Sequence, residues 1–141
     1  MEVCKLLLKS VKDKNPRDDS GLTPLHMAAN KGYLEICKLL MKGLSNKNPA
    51  SDDGQHTPLH LASDRGHFEV CKLILENVSD KNPRNNNGDT PLHIAASNGH
   101  LEICTFMIAN GAEKYALNIR RKTPKDLAIR GKHVKVIELF K

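Results

Sequence analysis

The chain has 141 residues, of which 39% are hydrophobic, and a formal net charge of +6. No apolar run approaches the roughly 18 residues of a membrane span, and the charged N-terminal segment does not have the pattern of a secretory signal peptide, so we expect no membrane association. The chain has no Trp and only 4% aromatic residues, which predicts an aliphatic core.

The first residues, 1–14, match only the second half of a unit that recurs later. Residues 1–6 align with residues 68–73, and no counterpart of the first half precedes them. We interpret this segment as a partial repeat that contains a second helix only. Because its leucines would lie uncapped at the end of a stack, self-association through this end is possible. We interpret the chain as an excerpt of a longer array, with an engineered protein as the alternative.

A tetrapeptide marks the recurring unit. Thr-Pro-Leu-His begins at Thr23, Thr57 and Thr90, and the weaker Thr-Pro-Lys-Asp begins at Thr123, in steps of 34, 33 and 33 residues. Thr is a good N-cap, and Pro suits the first helical position because its missing N–H has no helical partner there. A Gly then ends this short helix, and a second, strongly apolar helix follows. Such a helix needs cover on two sides, so the unit must stack on its neighbours.

This period, with the tetrapeptide followed by x-Ala-(Ala/Ser)-x-x-Gly, resembles the ankyrin repeat over essentially the whole chain. The resemblance implies an all-α repeat solenoid, in which helix-turn-helix units stack and β-hairpin or turn tips project. We expect full repeats at 15–47, 48–81 and 82–114. We expect a C-terminal capping repeat at 115–141, because polar residues replace the motif residues there.

The second helices are predicted at 34–42, 68–76 and 101–109. The helix ends depart from the usual family pattern, because Val11, Leu44 and Val78 stand where Gly is commonest. A β-branched residue resists the left-handed conformation, so we expect the residue before it to adopt that conformation. The predicted left-handed residues are Ser10, Gly43, Asn77 and Asn110.

The four cysteines, Cys4, Cys37, Cys71 and Cys104, are spaced by the repeat itself. Stacked helices lie about 8–10 Å apart, whereas a disulfide needs Cα atoms within roughly 7 Å. We therefore predict four free, buried thiols. Such thiols suit a reducing compartment, so we expect an intracellular protein, either cytoplasmic or nuclear.

The seven histidines do not indicate catalysis. The resemblance implies that His26, His60 and His93 form local hydrogen bonds and join adjacent repeats. His56 lies on a tip with one extra residue, and we expect it to be solvated. No metal-binding or nucleophilic motif occurs, so we expect neither enzymatic activity, nor a cofactor, nor a metal site.

The positive charge is concentrated at one end. Residues 112–141 hold nine Lys or Arg against three Asp or Glu, whereas residues 1–111 hold 13 of each kind. Binding of nucleic acid or a nucleotide through this basic last repeat is one alternative function. Few aromatic residues are available for stacking on bases, so we regard nucleic acid as the weaker alternative.

The ankyrin resemblance implies a non-catalytic scaffold that binds another protein through its tips and the concave face of its first helices. The other alternative is a structural spacer, or an engineered stable scaffold, that has no native partner. We refer to the non-motif residues at the binding positions as the candidate strip. They are Asp19, Ser20, Leu22, Asn30, Lys31, Gln55, His56, Asp64, Arg65, Asn86, Asn87, Asp89, Ser97, Asn98, Arg120, Lys122 and Arg130.

Overall fold

A computed structural model describes residues 16–141 as eight α-helices, with no β-strand in this part of the chain. The helices are α1 Pro24–Lys31, α2 Leu34–Met41, α3 Pro58–Arg65, α4 Phe68–Asn77, α5 Pro91–Ser97, α6 Leu101–Ala109, α7 Pro124–Arg130 and α8 Val134–Glu138. The predicted partial repeat, Cys4 and the predicted self-association surface lie outside the described residues. The observed pairs of short helices agree with the all-α solenoid expected from the sequence.

Each first helix begins at a threonine that caps it reciprocally. At α1, the His26 backbone N–H donates to Thr23 Oγ1, and the Thr23 N–H donates to His26 Nδ1. The same capping box, with Pro at the first helical position, begins α3, α5 and α7. These two bonds satisfy N–H groups that a helix start otherwise leaves without a partner. The predicted helix starts are therefore confirmed.

The helices form two layers. Each first helix packs on the first helix of the next repeat, each second helix packs on the next second helix, and the two helices of a repeat pack on each other. Backbone contacts between first helices are much more extensive than those between second helices. Closer spacing in one layer favours curvature toward that layer, so we expect the first helices to line the concave side.

Residue size explains the closer spacing of the first helices. The first helices bury small residues at the position six after the capping threonine, namely Ala29, Ser63 and Ala96. The second helices bury larger side chains, such as Ile74 and Met107. Small side chains let two helix backbones approach, whereas larger ones hold them apart. The core is an aliphatic cluster that runs between the layers, as the composition predicted.

The tips are compact turns that contact one another. Backbone bonds close the first and third tips from Asp18 N to Leu22 O and from Asn85 N to Asp89 O. The equivalent bond in the second tip, from Ser51 N to His56 O, encloses one more residue. Further backbone bonds join successive tips, with Ser20 O, Gly54 O and Asn87 O as acceptors. The tips therefore form one connected edge along the first-helix layer.

Two arginines hold tips against the following repeat. Arg17 Nη1 donates to Gly21 O at 2.8 Å and to Ala50 O at 3.0 Å. In the third repeat, Arg84 Nη1 makes the same pair of bonds to Gly88 O and Leu117 O. In the second repeat the equivalent position is Ala50, which has no such donor. The elongated second tip therefore lacks the guanidinium contact that holds the first and third tips.

The ends of the second helices were only partly predicted. Gly43 has φ +79°, as predicted, but Asn110 has φ −118° and Gly111 takes the left-handed conformation instead.

The end of α4 differs from the prediction. Asn77 belongs to α4, which is one residue longer than predicted, and Val78 is extended. Lys81 Nζ donates to the carbonyl oxygens of Leu75 and Val78. The lysine side chain thus caps carbonyl groups at the end of α4, as a left-handed turn would otherwise do. Helix α2 ends at Met41, one residue earlier than predicted, and Ser10 lies outside the described residues.

Candidate functional site

The candidate strip lies on the surface of the first-helix layer and the tips. None of its residues is buried. Those that are half-buried are Ser20, Leu22, Asn30, His56 and Asp89, and the rest are exposed. The strip therefore offers side chains to a partner along the length of the described chain.

Side-chain hydrogen bonds join neighbouring repeats along this strip. Arg65 Nε donates to Asn30 Oδ1 at 3.1 Å, and Asn98 Nδ2 donates to Asp64 Oδ1 at 2.9 Å. These residues lie at or next to the C-terminal ends of their first helices, so the contacts run from one repeat to the next. The structure therefore brings four residues of the candidate strip into contact across two repeat boundaries.

The last two repeats enclose a groove of about 580 Å³, which we call the C-terminal groove. Its lining includes the strip residues Asn87, Asp89, Ser97, Arg120, Lys122 and Arg130. It also includes four residues outside the predicted strip, Asn118, Asp126, Leu127 and Ile129. The structure thus gathers six predicted residues from two tips and two helices into one concave site.

The two carboxylates of the groove are already engaged by the fold. Asp89 Oδ1 accepts a bond from Asn118 Nδ2 at 2.9 Å. Asp126 Oδ2 accepts the Thr123 backbone N–H at 2.9 Å, and this bond lowers the pKa of Asp126. The basic side chains Arg120, Lys122 and Arg130 form no ion pair with any residue in 16–141. The groove therefore presents positive charge to an incoming group.

The motif histidines join the repeats from within the core. His60 Nδ1 accepts the Thr57 N–H at 3.2 Å, and its Nε2 donates to Asp89 O in the next repeat at 2.9 Å. His26 and His93 make the same bonds to His56 O and Lys122 O. Donation at Nε2 and acceptance at Nδ1 define a neutral ring. The predicted structural role of these histidines is confirmed.

The sequence of the whole chain agrees with this geometry. The family profile described as ankyrin repeats (3 copies) matches residues 1–85 and 77–141.

The chain belongs to the ankyrin repeat family.

Members of this family are generally protein-interaction modules and are typically non-catalytic. A search among curated proteins finds no significant match. Within residues 16–141, no helix is both long and apolar enough to cross a bilayer. In the same part of the chain, no group of His, Cys, Asp or Glu side chains is arranged to hold a metal ion.

A second histidine series joins the ankyrin repeats, and sequence reasoning missed it. His67 Nε2 donates to Asn30 O of the preceding repeat at 3.0 Å, and its ring lies against Gly32. A Cβ at Gly32, which has φ +76°, would lie 2.6 Å from that ring. The same arrangement joins His100 to Asp64 O and His133 to Ser97 O. The available signal was a histidine at the repeat period, directly before each of three second helices.

His56 corrects a second expectation. It is half-buried instead of solvated, and its ring meets the His60 ring edge-on, with centroids 6.0 Å apart. Its backbone N–H donates to Ser51 Oγ at 3.0 Å. The extra residue of the second tip folds the ring inward over Gly54, so His56 contributes to the tip's own packing.

The described cysteines are buried, as predicted. Cys37, Cys71 and Cys104 are free thiols in the second helices, and each is 1% exposed or less. Burial raises the pKa of Cys37 to about 11 and that of Cys71 and Cys104 to about 12. A thiol with so high a pKa holds almost no thiolate at neutral pH, so these residues act as small hydrophobic side chains.

Proposed function

We propose that the chain is a non-catalytic scaffold that binds a partner protein through its tips and the concave face of its first helices. The observation that carries this proposal is the continuity of the candidate strip. Its non-motif side chains are accessible in every described repeat, while the motif side chains beneath them are buried and engaged by neighbouring repeats. The surface is therefore free to vary and to encode a partner without loss of the stack.

The fold also favours this use because hydrogen bonds between repeats hold part of the strip in place before a partner arrives. Backbone bonds join successive tips, and side-chain bonds join the helix ends at Arg65 and Asn30 and at Asn98 and Asp64. A preorganised surface loses less conformational entropy when it binds. We further propose that residues 115–141 act as the C-terminal cap, since Lys132 and Arg121 replace the motif glycines there.

A paired charge reversal tests the assignment to the concave side. We expect the variant Lys31→Glu with Arg65→Glu to reduce capture of the partner from the source cell by about tenfold or more, because the reversed charges lie in the contact. The convex control, Lys38→Glu with Lys72→Glu, carries the same change in net charge on exposed residues of the second helices. We expect it to change capture by less than about threefold, through long-range steering alone.

The two pairs together decide between uses of the stack. Equal loss in both pairs would show an effect of net charge and overturn the concave assignment. Loss in the convex pair alone would place the partner on the second helices. A stack that captures no partner through either face would favour the structural-spacer alternative.

A further inference from the structure

The C-terminal groove combines positive charge with an exposed aliphatic floor. Leu127 and Ile129 both line the groove. Leu127 is half-buried, and Ile129 is 50% exposed. The positions equivalent to Ile129 in the other repeats are Ala29, Ser63 and Ala96, all 0% exposed. The last repeat has thus replaced a buried small residue by a large apolar side chain that is half open to solvent.

The acidic and basic side chains around this floor differ in whether other residues of the chain already contact them. Asp89 and Asp126 already receive hydrogen bonds from Asn118 and Thr123. Arg120, Lys122 and Arg130 are exposed, and none forms an ion pair within residues 16–141. Arginine guanidinium groups bind carboxylates with paired, charge-assisted hydrogen bonds. The rim, formed by Arg120, Lys122 and Arg130, can therefore bind an anion, and the floor can contact an apolar side chain.

We propose that the C-terminal groove binds an acidic segment of the partner protein. Its carboxylates pair with Arg120 and Arg130, and an aliphatic side chain between them covers Ile129 and Leu127. This inference rests on the proposed function and names the partner chemistry that one end of the strip recognises. A groove of about 580 Å³ has the size of a small-ligand pocket, which suits a few side chains of an extended peptide.

The lining disfavours nucleic acid as the occupant. Recognition of single strands relies on aromatic side chains that stack on bases, and no aromatic residue lines this groove. An aliphatic floor with a basic rim fits a peptide that carries both carboxylates and an apolar side chain.

Fluorescence anisotropy with short synthetic peptides tests the proposal. The probe is a fluorescein-labelled peptide of alternating glutamate and leucine. One comparison peptide has glutamine in place of glutamate, and another has serine in place of leucine. We expect the first peptide to bind about tenfold more tightly than either comparison peptide, because only it satisfies both rim and floor. Equal binding of the glutamine peptide would overturn the proposal.

Variants locate the binding site. Arg120→Glu with Arg130→Glu should weaken the glutamate–leucine peptide about tenfold or more, whereas Lys38→Glu with Lys72→Glu should change it by less than about threefold. Ile129→Ser, on an exposed side chain, should weaken it while leaving the folded helical signal unchanged. The milder pair Arg120→Gln with Arg130→Gln gives the same test without charge reversal. Equal effects of the arginine and lysine pairs would overturn the assignment.

Three further outcomes are distinguishable. If single-stranded RNA binds more tightly than the peptide and loses affinity in the arginine pair, the groove binds nucleic acid and the proposal is wrong. If partner capture depends on Lys31 and Arg65 but not on Arg120 and Arg130, the proposed function stands and the acidic-segment inference fails. If capture depends on neither pair, the proposed function fails as well.

Discussion

Leu92→Ala is expected to lower the free energy of unfolding by about 2–5 kcal/mol, the range for large-to-small changes in a core. Leu92 lies in α5, is 1% exposed, and packs in the core between neighbouring repeats. The loss combines buried apolar area with a cavity that helices fixed on both sides cannot close. Urea unfolding, followed by circular dichroism, measures the change.

Ser97→Ala is the matched control, because Ser97 is at the end of the same helix, is exposed, and lines the C-terminal groove. We expect it to change stability by less than about 0.5 kcal/mol, as is usual for surface substitutions. Comparable losses at Leu92 and Ser97 would contradict a stack whose stability comes from contacts between repeats.

Acid is expected to weaken the fold through the motif histidines. Burial lowers the pKa of His60 from its ordinary value of 6.5 to about 4, and burial also lowers the pKa of His26 and His93. Between pH 6.5 and about 4, His60 is protonated in the unfolded chain but stays neutral in the folded chain. The free energy of unfolding therefore falls as pH drops from about 6.5 to 4, by about 3 kcal/mol for His60 alone. Protonation would also remove the Nδ1 acceptor that the Thr57 N–H uses.

Urea unfolding between pH 7.5 and 4.5 measures this slope. Nuclear magnetic resonance of the His60 ring protons, at pH 5, supplies the independent readout, since the ring should still show the shifts of neutral imidazole. Constant stability over this pH range, with His60 protonated in the folded state at pH 5, would show that the buried motif histidines are not neutral in the fold.

The helix starts were predictable because their determinants are local. The capping threonine, the proline and the reciprocating histidine lie within four residues, and the period repeats them in register. The ends of the second helices were less predictable. Whether Asn110 or Gly111 turns left-handed, and whether Lys81 reaches back to cap α4, depends on side-chain reach and on competition between adjacent residues.

The C-terminal groove could be predicted only in part. The period places Arg120, Lys122 and Arg130 at surface positions of the last repeat. It does not reveal that Asn118 engages Asp89 across the repeat boundary, or that Ile129 stays half exposed. These facts depend on the distance between tips and on what covers the last helix. The contact of the His56 ring with His60 was likewise not predictable, because one inserted residue changes the direction of the side chain.

Hydrogen–deuterium exchange of the chain, with and without the captured partner protein, tests binding through the first-helix layer most directly. We expect the partner to slow exchange at the tips, residues 18–22, 52–56, 85–89 and 118–122, and to leave the second helices unchanged. Slower exchange confined to the second helices would contradict the concave interface, because that protection would place the partner on the opposite layer.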